Sequence, residues 1–248
     1  MITKLYKFSV QSMLFRIYLI IIYISLFLNF SCEKKIIRNP SSPIKTLVIL
    51  GSSTAAGTGA SRFDSSWVGL LSSKFKRDQK EIKVINLAVG GYATYHFLPT
   101  NTDNMPGRPD EDTNVNITKA LTYQPDYIII NLPTNDIAYN YSDAEILNNY
   151  KKITSIILNN KIPFLITSTQ PRNFPEEDKR KRLKLFNYKL QTEYSGGVLD
   201  YYDMLSDSLY YIKSTINYGD GVHVNNLGHK IIFEELFKNK QFLNKAGY

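Results

Sequence analysis

Four short segments of this 248-residue chain contain the residue types that acyl transfer requires. A hydroxyl nucleophile needs a base, the base needs a carboxylate to orient it, and the developing oxyanion needs hydrogen-bond donors. Ser53, His223 and Asp220 could supply the first three groups, and one turn of a loop could join the last two, which are three residues apart. The N–H groups of Ser53 and Gly91 and the side-chain amide of Asn135 could supply the donors. The segments are Gly51-Ser52-Ser53-Thr54, Gly90-Gly91, Pro133-Thr134-Asn135-Asp136 and Asp220-Gly221-Val222-His223.

The first three segments follow predicted β-strands. The apolar, β-branched run at 46–50 breaks at Gly51 into small residues, which is typical of a buried strand that ends in a tight turn. Strands are predicted at 46–50, 83–88, 127–132, 164–168 and 198–201, and the clearest helices at 143–159 and 227–237. This alternation indicates a parallel sheet covered by helices on both sides, whose ligands bind at the carboxyl ends of the strands.

The four segments, taken in order, resemble the sequence blocks of SGNH (GDSL-type) hydrolases over about residues 47–229. The resemblance implies a three-layer α/β/α sandwich with a central parallel sheet, of the flavodoxin-like type. It also implies Ser53 as nucleophile, Gly91 and Asn135 as oxyanion residues, and His223 as the base with Asp220 as its orienting carboxylate. Two positions depart from the family pattern: Ser52 replaces the aspartate of the first block, and Pro133 replaces the glycine of the third.

Each of these residues also has a purely structural interpretation. Ser53 could be a turn hydroxyl, with Ser52 as the nucleophile instead. Gly91 could serve only to allow a positive φ, and Asn135 could cap the following helix. His229 and His96 are the alternatives to His223: the first stands at the start of a predicted helix, and the second lies beside a long loop.

The activity that the resemblance implies is hydrolysis of an ester by a serine nucleophile, a reaction that needs no cofactor. Three separated histidines and a single cysteine offer no metal-ligand cluster.

The stretch 96–116, with three prolines, is too long for a plain connection and is predicted to lie over the strand ends as a binding loop. Polar and aromatic residues in and around the predicted site favour a short acyl group on a polar carrier such as a carbohydrate: Tyr92, Tyr95, His96, Asn101, Asn104, Arg108, Arg172 and Asn173. An acyltransferase, or a non-catalytic glycan-binding lipoprotein of the same fold, remains an alternative.

The amino terminus is predicted to be a targeting segment. Lys4, Lys7 and Arg16 precede or border an apolar run of 14 residues at 17–30, which is short for a membrane span and typical of a signal-peptide core. The run ends just before Cys32, and the resemblance here is to the lipobox of bacterial lipoproteins, which implies lipidation of Cys32 and a place in the cell envelope. The predicted organisation is a signal peptide at 1–31, a tether at 32–44 and a hydrolase domain at 45–248. An uncleaved anchor and ordinary secretion are the alternatives, and the lone cysteine excludes an intramolecular disulfide.

Composition favours one globular domain behind that leader and argues against nucleic acid as a partner. Apolar residues make up 43% of the chain, enough for one full core. The net charge of +8 falls to +5 without the three basic residues of the leader. The one basic cluster, at 179–184, is predicted to be a solvated helix face.

Overall fold

The computed structural model describes residues 43–103 and 105–248, so the predicted leader, Cys32 and most of the tether lie outside the described residues. Within them the strands are β1 (Lys45–Gly51), β2 (Ile82–Asn86), β3 (Tyr127–Asn131), β4 (Phe164–Thr167) and β5 (Val198–Leu199). All neighbouring strands pair in parallel, in the order β2-β1-β3-β4-β5. This is the flavodoxin-like order, so the predicted fold is confirmed.

The apolar runs of β1 and β3 are buried on both faces. Along β1, Leu47 and Ile49 pack into one hydrophobic cluster, and Val48 and Leu50 pack into another on the opposite side of the sheet. Successive strand residues point to opposite faces, so an uninterrupted apolar run fits only a strand covered from both sides.

Helices cover both faces and complete three layers. The helices are α1 (Ser53–Ala56), α2 (Trp67–Arg77), α3 (Ile117–Leu121), α4 (Thr134–Ala138), α5 (Asp143–Asn159), α6 (Glu177–Glu193), α7 (Tyr202–Leu205), α8 (Asn226–Lys238) and α9 (Lys240–Ala246). Residues of α3, α5 and α6 pack into the cluster that contains Val48, and residues of α2, α8 and α9 pack into the cluster that contains Leu47. Within residues 43–103 and 105–248, every helix is too short or too polar to cross a membrane.

Local chemistry sets where several elements begin and end. Helix α5 has its predicted bounds because Ser142 and Glu145 form a capping box: the Glu145 N–H donates to Ser142 Oγ at 3.2 Å, and the Ser142 N–H donates to Glu145 Oε2 at 2.7 Å. Strand β5 is shorter than predicted. Beyond Leu199 the Tyr201 N–H donates to the side-chain Oγ of Ser168 at 3.0 Å, and this bond interrupts the backbone ladder between β4 and β5.

The basic cluster at 179–184 lies on α6 and is largely neutralised by neighbours. Arg182 pairs with Asp143 at 2.7 Å, Lys181 with Glu177 at 2.7 Å and Lys184 with Asp203 at 2.8 Å. Paired cations do not present the continuous positive surface that binds a phosphate backbone.

Candidate active site

The turn that follows β1 presents Ser53 at the edge of the sheet. Ser52 is extended, and helix α1 begins at Ser53. Gly51 makes this abrupt turn possible, because a Cβ at that position would lie only 2.6 Å from Ala55 Cβ. The Ser53 side chain is therefore held at the carboxyl end of a buried strand, as the sequence predicted.

His223 lies between Ser53 and Asp220. Its Nε2 is 2.8 Å from Ser53 Oγ, and its Nδ1 is 2.6 Å from Asp220 Oδ2. A carboxylate only accepts hydrogen bonds, so Nδ1 carries the proton and Nε2 is the acceptor for the serine hydroxyl. The three side chains thus form a continuous hydrogen-bonded chain with the polarity that a serine nucleophile requires.

Asp220 is held in its charged form. Burial alone would raise its pKa, but hydrogen bonds from the His223 imidazole and from the backbone N–H groups of His223 and Val222 outweigh that effect, and the pKa is lowered. Both backbone donors reach Asp220 Oδ1 at 2.8 Å, which leaves Oδ2 for the imidazole. The spacing of three residues between Asp220 and His223 is what lets one carboxylate both shape the turn and orient the imidazole.

Three contacts fix the loop that carries His223 against the rest of the site. Gln170 Nε2 donates to the Val222 carbonyl at 2.7 Å, while Gln170 Oε1 accepts from the Thr54 hydroxyl next to Ser53. The Asn173 N–H donates to the Gly221 carbonyl at 2.8 Å. On the other side Gly59, with φ at +91°, lies so close that a Cβ there would be 2.2 Å from the Val224 carbonyl oxygen.

Gln170 and Asn173 belong to the segment after β4. Asn173 is among the polar residues expected around the site, whereas Gln170 is not, and the sequence does not predict that either of them holds the His223 loop. One sequence signal points to this segment: it follows a predicted strand, and ligands of parallel sheets bind at the carboxyl ends of the strands.

Two backbone N–H groups are available to a developing oxyanion. Gly91 adopts φ +83°, and within the described chain neither its N–H nor that of Ser53 donates a hydrogen bond. The positive φ explains why a glycine occupies this position, and this role is compatible with donation from the same residue. These are the first two of the three predicted donors.

Asn135 lies in the site as predicted, but both of its amide N–H groups have partners. Its Nδ2 donates to Ser52 Oγ at 2.7 Å and to the Tyr92 carbonyl at 3.0 Å. Donation to a substrate oxygen would therefore require exchange of one of these bonds. The hydroxyl of Ser52 is a neutral acceptor, so its bond to Asn135 is weaker than the bond that the carboxylate of the family pattern would accept at this position.

Asp136, the neighbour of Asn135, is fully buried and anchors the segment after β2. Its carboxyl group accepts from the Thr94 N–H at 3.0 and 3.1 Å and from the Thr94 hydroxyl at 2.5 Å. Burial raises the pKa of Asp136 to about 7, although the Thr94 hydrogen bonds act in the opposite direction.

The other two histidines have structural roles. His229 is buried, its Nε2 lies 3.0 Å from the Thr58 carbonyl oxygen, and burial lowers its pKa. His96 stacks on Tyr92 with ring centroids 4.0 Å apart, and burial lowers its pKa as well. Among the described residues, no cluster of three or more histidine, cysteine or carboxylate side chains could hold a metal ion.

A small polar cavity of about 20 Å³ lies beside Ser53. A cavity holding one water molecule needs roughly 10–15 Å³ on this measure, so the space fits about one methyl-sized group. The predicted binding loop at 96–116 contributes none of its described residues to this cavity and instead packs beside it, where Tyr92 donates to Asp112 at 2.7 Å. The cavity is lined by Ser52, Ser53, Thr54, Asn131, Leu132, Thr134, Asn135, Thr169, Gln170 and Val222.

Comparison with known proteins relates the chain to one family. The model of the GDSL-like lipase/acylhydrolase family matches residues 49–231. No curated protein matches the chain.

Solved structures of esterases and lipases share the fold. A psychrotrophic esterase from Pseudoalteromonas sp. is 19% identical with a TM-score of 0.60, and the match covers 81% of this chain and 99% of that one. A GDSL-like lipase from Bacteroides thetaiotaomicron is 20% identical with a TM-score of 0.60, covering 82% and 89%. An acetyl xylan esterase is 14% identical with a TM-score of 0.59, covering 79% and 99%. At these identities the similarity concerns the fold.

We expect Asp136 to make the free energy of unfolding fall as the pH rises from about 4 to about 7. Its pKa is about 7 in the folded state and near 3.8 in the unfolded chain, so the folded state retains a proton that the unfolded state releases. The stabilisation is complete below the unfolded value and is lost as the pH rises through the folded one. Asp136→Asn stays neutral and should lack this decline, which urea denaturation of both proteins across the range would measure.

The quantity to compare is the pH dependence of the free energy of unfolding in the unmodified protein and in Asp136→Asn. His96 and His229, whose pKa values are lowered by burial, are present in both proteins, so their contributions to the pH dependence cancel. Parallel pH profiles for the two proteins would contradict the assignment.

Proposed function

Since the chain belongs to the GDSL-like lipase/acylhydrolase family of ester hydrolases, we propose that it removes a short acyl group from a polar carrier, such as a carbohydrate, through Ser53, His223 and Asp220. The observation that carries this proposal is the pair of hydrogen bonds made by His223, 2.8 Å to Ser53 Oγ and 2.6 Å to Asp220 Oδ2. One imidazole thereby touches both the nucleophile and the orienting carboxylate.

The proposed reaction begins with attack of Ser53 Oγ on the ester carbonyl carbon while His223 Nε2 takes the hydroxyl proton. The charged Asp220 stabilises the imidazolium that forms. The N–H groups of Ser53 and Gly91 donate to the oxyanion, and Asn135 joins them when its bond to Ser52 exchanges. His223 then protonates the leaving alcohol. In the second step His223 takes a proton from water, which attacks the acyl-serine, and then returns that proton to Ser53 as the acid is released.

The size of the cavity beside Ser53 supports a short acyl group. About 20 Å³ accommodates the methyl group of an acetyl ester. The lining is mostly polar, with Thr54, Thr134, Thr169 and Gln170 among its residues. The shared fold with an acetyl xylan esterase is in keeping with this size.

Replacement of Ser53 by alanine should abolish hydrolysis of 4-nitrophenyl acetate while the fold is retained. A loss of roughly two to six orders of magnitude in kcat is expected for a nucleophile that acts as a unit with its base. Ser52→Ala is the matched control, because it removes a neighbouring hydroxyl that contacts Asn135 but not His223. Initial rates and thermal unfolding of both variants provide the measurement.

The opposite ranking would refute the nucleophile assignment, namely full activity in Ser53→Ala and loss in Ser52→Ala. Absence of turnover by the unmodified protein on any ester would favour the non-catalytic alternative. Addition of an alcohol acceptor, with analysis of the products, separates hydrolysis from acyl transfer.

Asp220→Asn should lower kcat by about 10⁴-fold with little change in the fold, because the amide no longer sets the imidazole tautomer. The same change at Asp200, Asp203 or Asp207, which lie in the same part of the chain, should alter kcat only slightly. Steady-state kinetics of the four variants decide the matter. Near-full activity in Asp220→Asn, together with a large loss in one of the other three, would assign the orienting carboxylate elsewhere.

We also propose that the protein is a lipoprotein of the bacterial cell envelope, anchored through acyl groups on Cys32. The charged start, short apolar core and lone cysteine of the sequence support this. Stable anchoring takes more than one acyl chain. Mass spectrometry of the native amino-terminal peptide should therefore find a multiply acylated Cys32 as first residue, and Cys32→Ser should release the protein from membranes. An unmodified peptide, or one that begins upstream of Ser31, would contradict the proposal.

A further inference from the structure

Arg172 lies at the active site, on the segment that follows β4. Its Nη1 donates to Asn135 Oδ1 at 3.4 Å, and its guanidinium carbon lies 5.0 Å from the centre of the Phe174 ring. The next residue, Asn173, is bonded to Gly221 in the loop of the catalytic histidine. The guanidinium group is thus held between the Asn135 segment and the Asp220–His223 turn.

The charge of Arg172 is poorly compensated. A guanidinium group has five N–H donors, and this half-buried one makes a single long hydrogen bond, with no carboxylate within 4.0 Å in the ranges 43–103 and 105–248. Asp220 is close enough to act on it through space, but both oxygens of Asp220 already have donors.

The other partly or fully buried arginines of the described chain are satisfied. Arg108 pairs with Glu145 at 2.7 Å and Arg182 with Asp143 at 2.7 Å. Arg180 donates to three backbone carbonyl groups. Arg172 has no such partners, and none of its nitrogen atoms is both buried and unpaired, so its remaining N–H donors are open to solvent and to a group of the substrate.

The position of Arg172 relative to Asn135 indicates which part of the substrate it meets. Asn135 turns its Nδ2 toward Ser52, beside the small cavity, and its Oδ1 toward Arg172. Arg172 itself does not line that cavity. The acyl group would occupy the cavity, so the guanidinium group faces the alcohol part of the ester.

We propose that Arg172 binds a carboxylate on the alcohol part of the substrate, so that the enzyme acts on acylated carriers that are anionic, such as acylated uronic acids. A planar guanidinium fork matches a carboxylate in bidentate geometry, and its remaining N–H donors are free to make those bonds. The inference rests on the proposed esterase function.

The test compares two substrates that differ only in charge. They are a methyl hexuronide with one acetyl group on a ring hydroxyl, as the free acid, and the same compound as its primary amide. The unmodified protein should show a kcat/KM about tenfold or more higher for the acid, mainly through KM, and added salt should reduce the difference. Arg172→Gln should bring the ratio close to one, and Arg172→Lys should restore part of it. Arg62→Gln, at a residue whose side chain is 75% exposed, is the matched control and should leave the ratio unchanged.

Three results would overturn the proposal. One is an equal kcat/KM for acid and amide with the unmodified protein. Another is a decrease in kcat/KM for Arg172→Gln that is equal for both substrates and arises from kcat alone. That result would make Arg172 only a positioning residue for Asn135. The third is a preference for 4-nitrophenyl hydrogen succinate over 4-nitrophenyl butyrate that depends on Arg172, which would put the anion on the acyl part.

Failure of the esterase function itself gives a different pattern. In that case neither the sugar esters nor 4-nitrophenyl acetate is hydrolysed. Calorimetric titration of the two sugar esters into Ser53→Ala then still decides the inference. Tighter binding of the acid than of the amide, lost when Arg172 is also replaced, supports it. Equal binding of acid and amide refutes it.

Discussion

The parallel pairing of β1 with its two neighbours is the constraint on which the site depends. Gly51 is in register with Asn131 of β3, and the ladder continues past the strand ends, where the Val89 N–H donates to the Gly51 carbonyl at 3.0 Å and the Ser52 N–H donates to the Asn131 carbonyl at 3.3 Å. Three chain segments that are distant in sequence therefore leave the sheet at the same edge. Ser53, the Gly91 N–H and Asn135 inherit their relative positions from this ladder.

Polar groups beneath that edge are paired across strands. Asn131 of β3 donates to Thr167 of β4 at 2.6 Å and to the Tyr201 hydroxyl at 2.9 Å, and all three side chains are buried. A buried amide without these acceptors would destabilise the sheet, so the network favours one arrangement of the strand ends. These bonds stabilise the floor of the site, whereas Asp220, with a 38% exposed side chain, lies at its rim.

Much of this architecture could be predicted from the sequence, because its signals are local. The apolar runs of β1 and β3 and the capping box of α5 identify their elements without knowledge of the rest of the chain. Family resemblance supplied Ser53, Gly91, Asn135, Asp220 and His223. Helix α2 is not predicted from the sequence, because Gly69 interrupts its pattern of apolar residues. That glycine is required by a contact outside the helix, since a Cβ there would lie 2.1 Å from the Phe63 carbonyl oxygen. The supporting bonds of Gln170 and the engaged amide of Asn135 also depend on contacts between distant segments, which residue types and spacing do not encode.

The close approach at Gly59 affects how the protein tolerates sequence change. Here the backbone that follows helix α1 touches the backbone that follows His223, with φ +91° and no room for even a methyl group. Gly59 carries no functional group and would escape any survey that looks only for reactive side chains. A side chain there would nevertheless displace the Val224 backbone and His223, so in a randomised library we expect this position to accept little besides glycine. Efforts to broaden the substrate range should diversify the rim and leave this glycine unaltered.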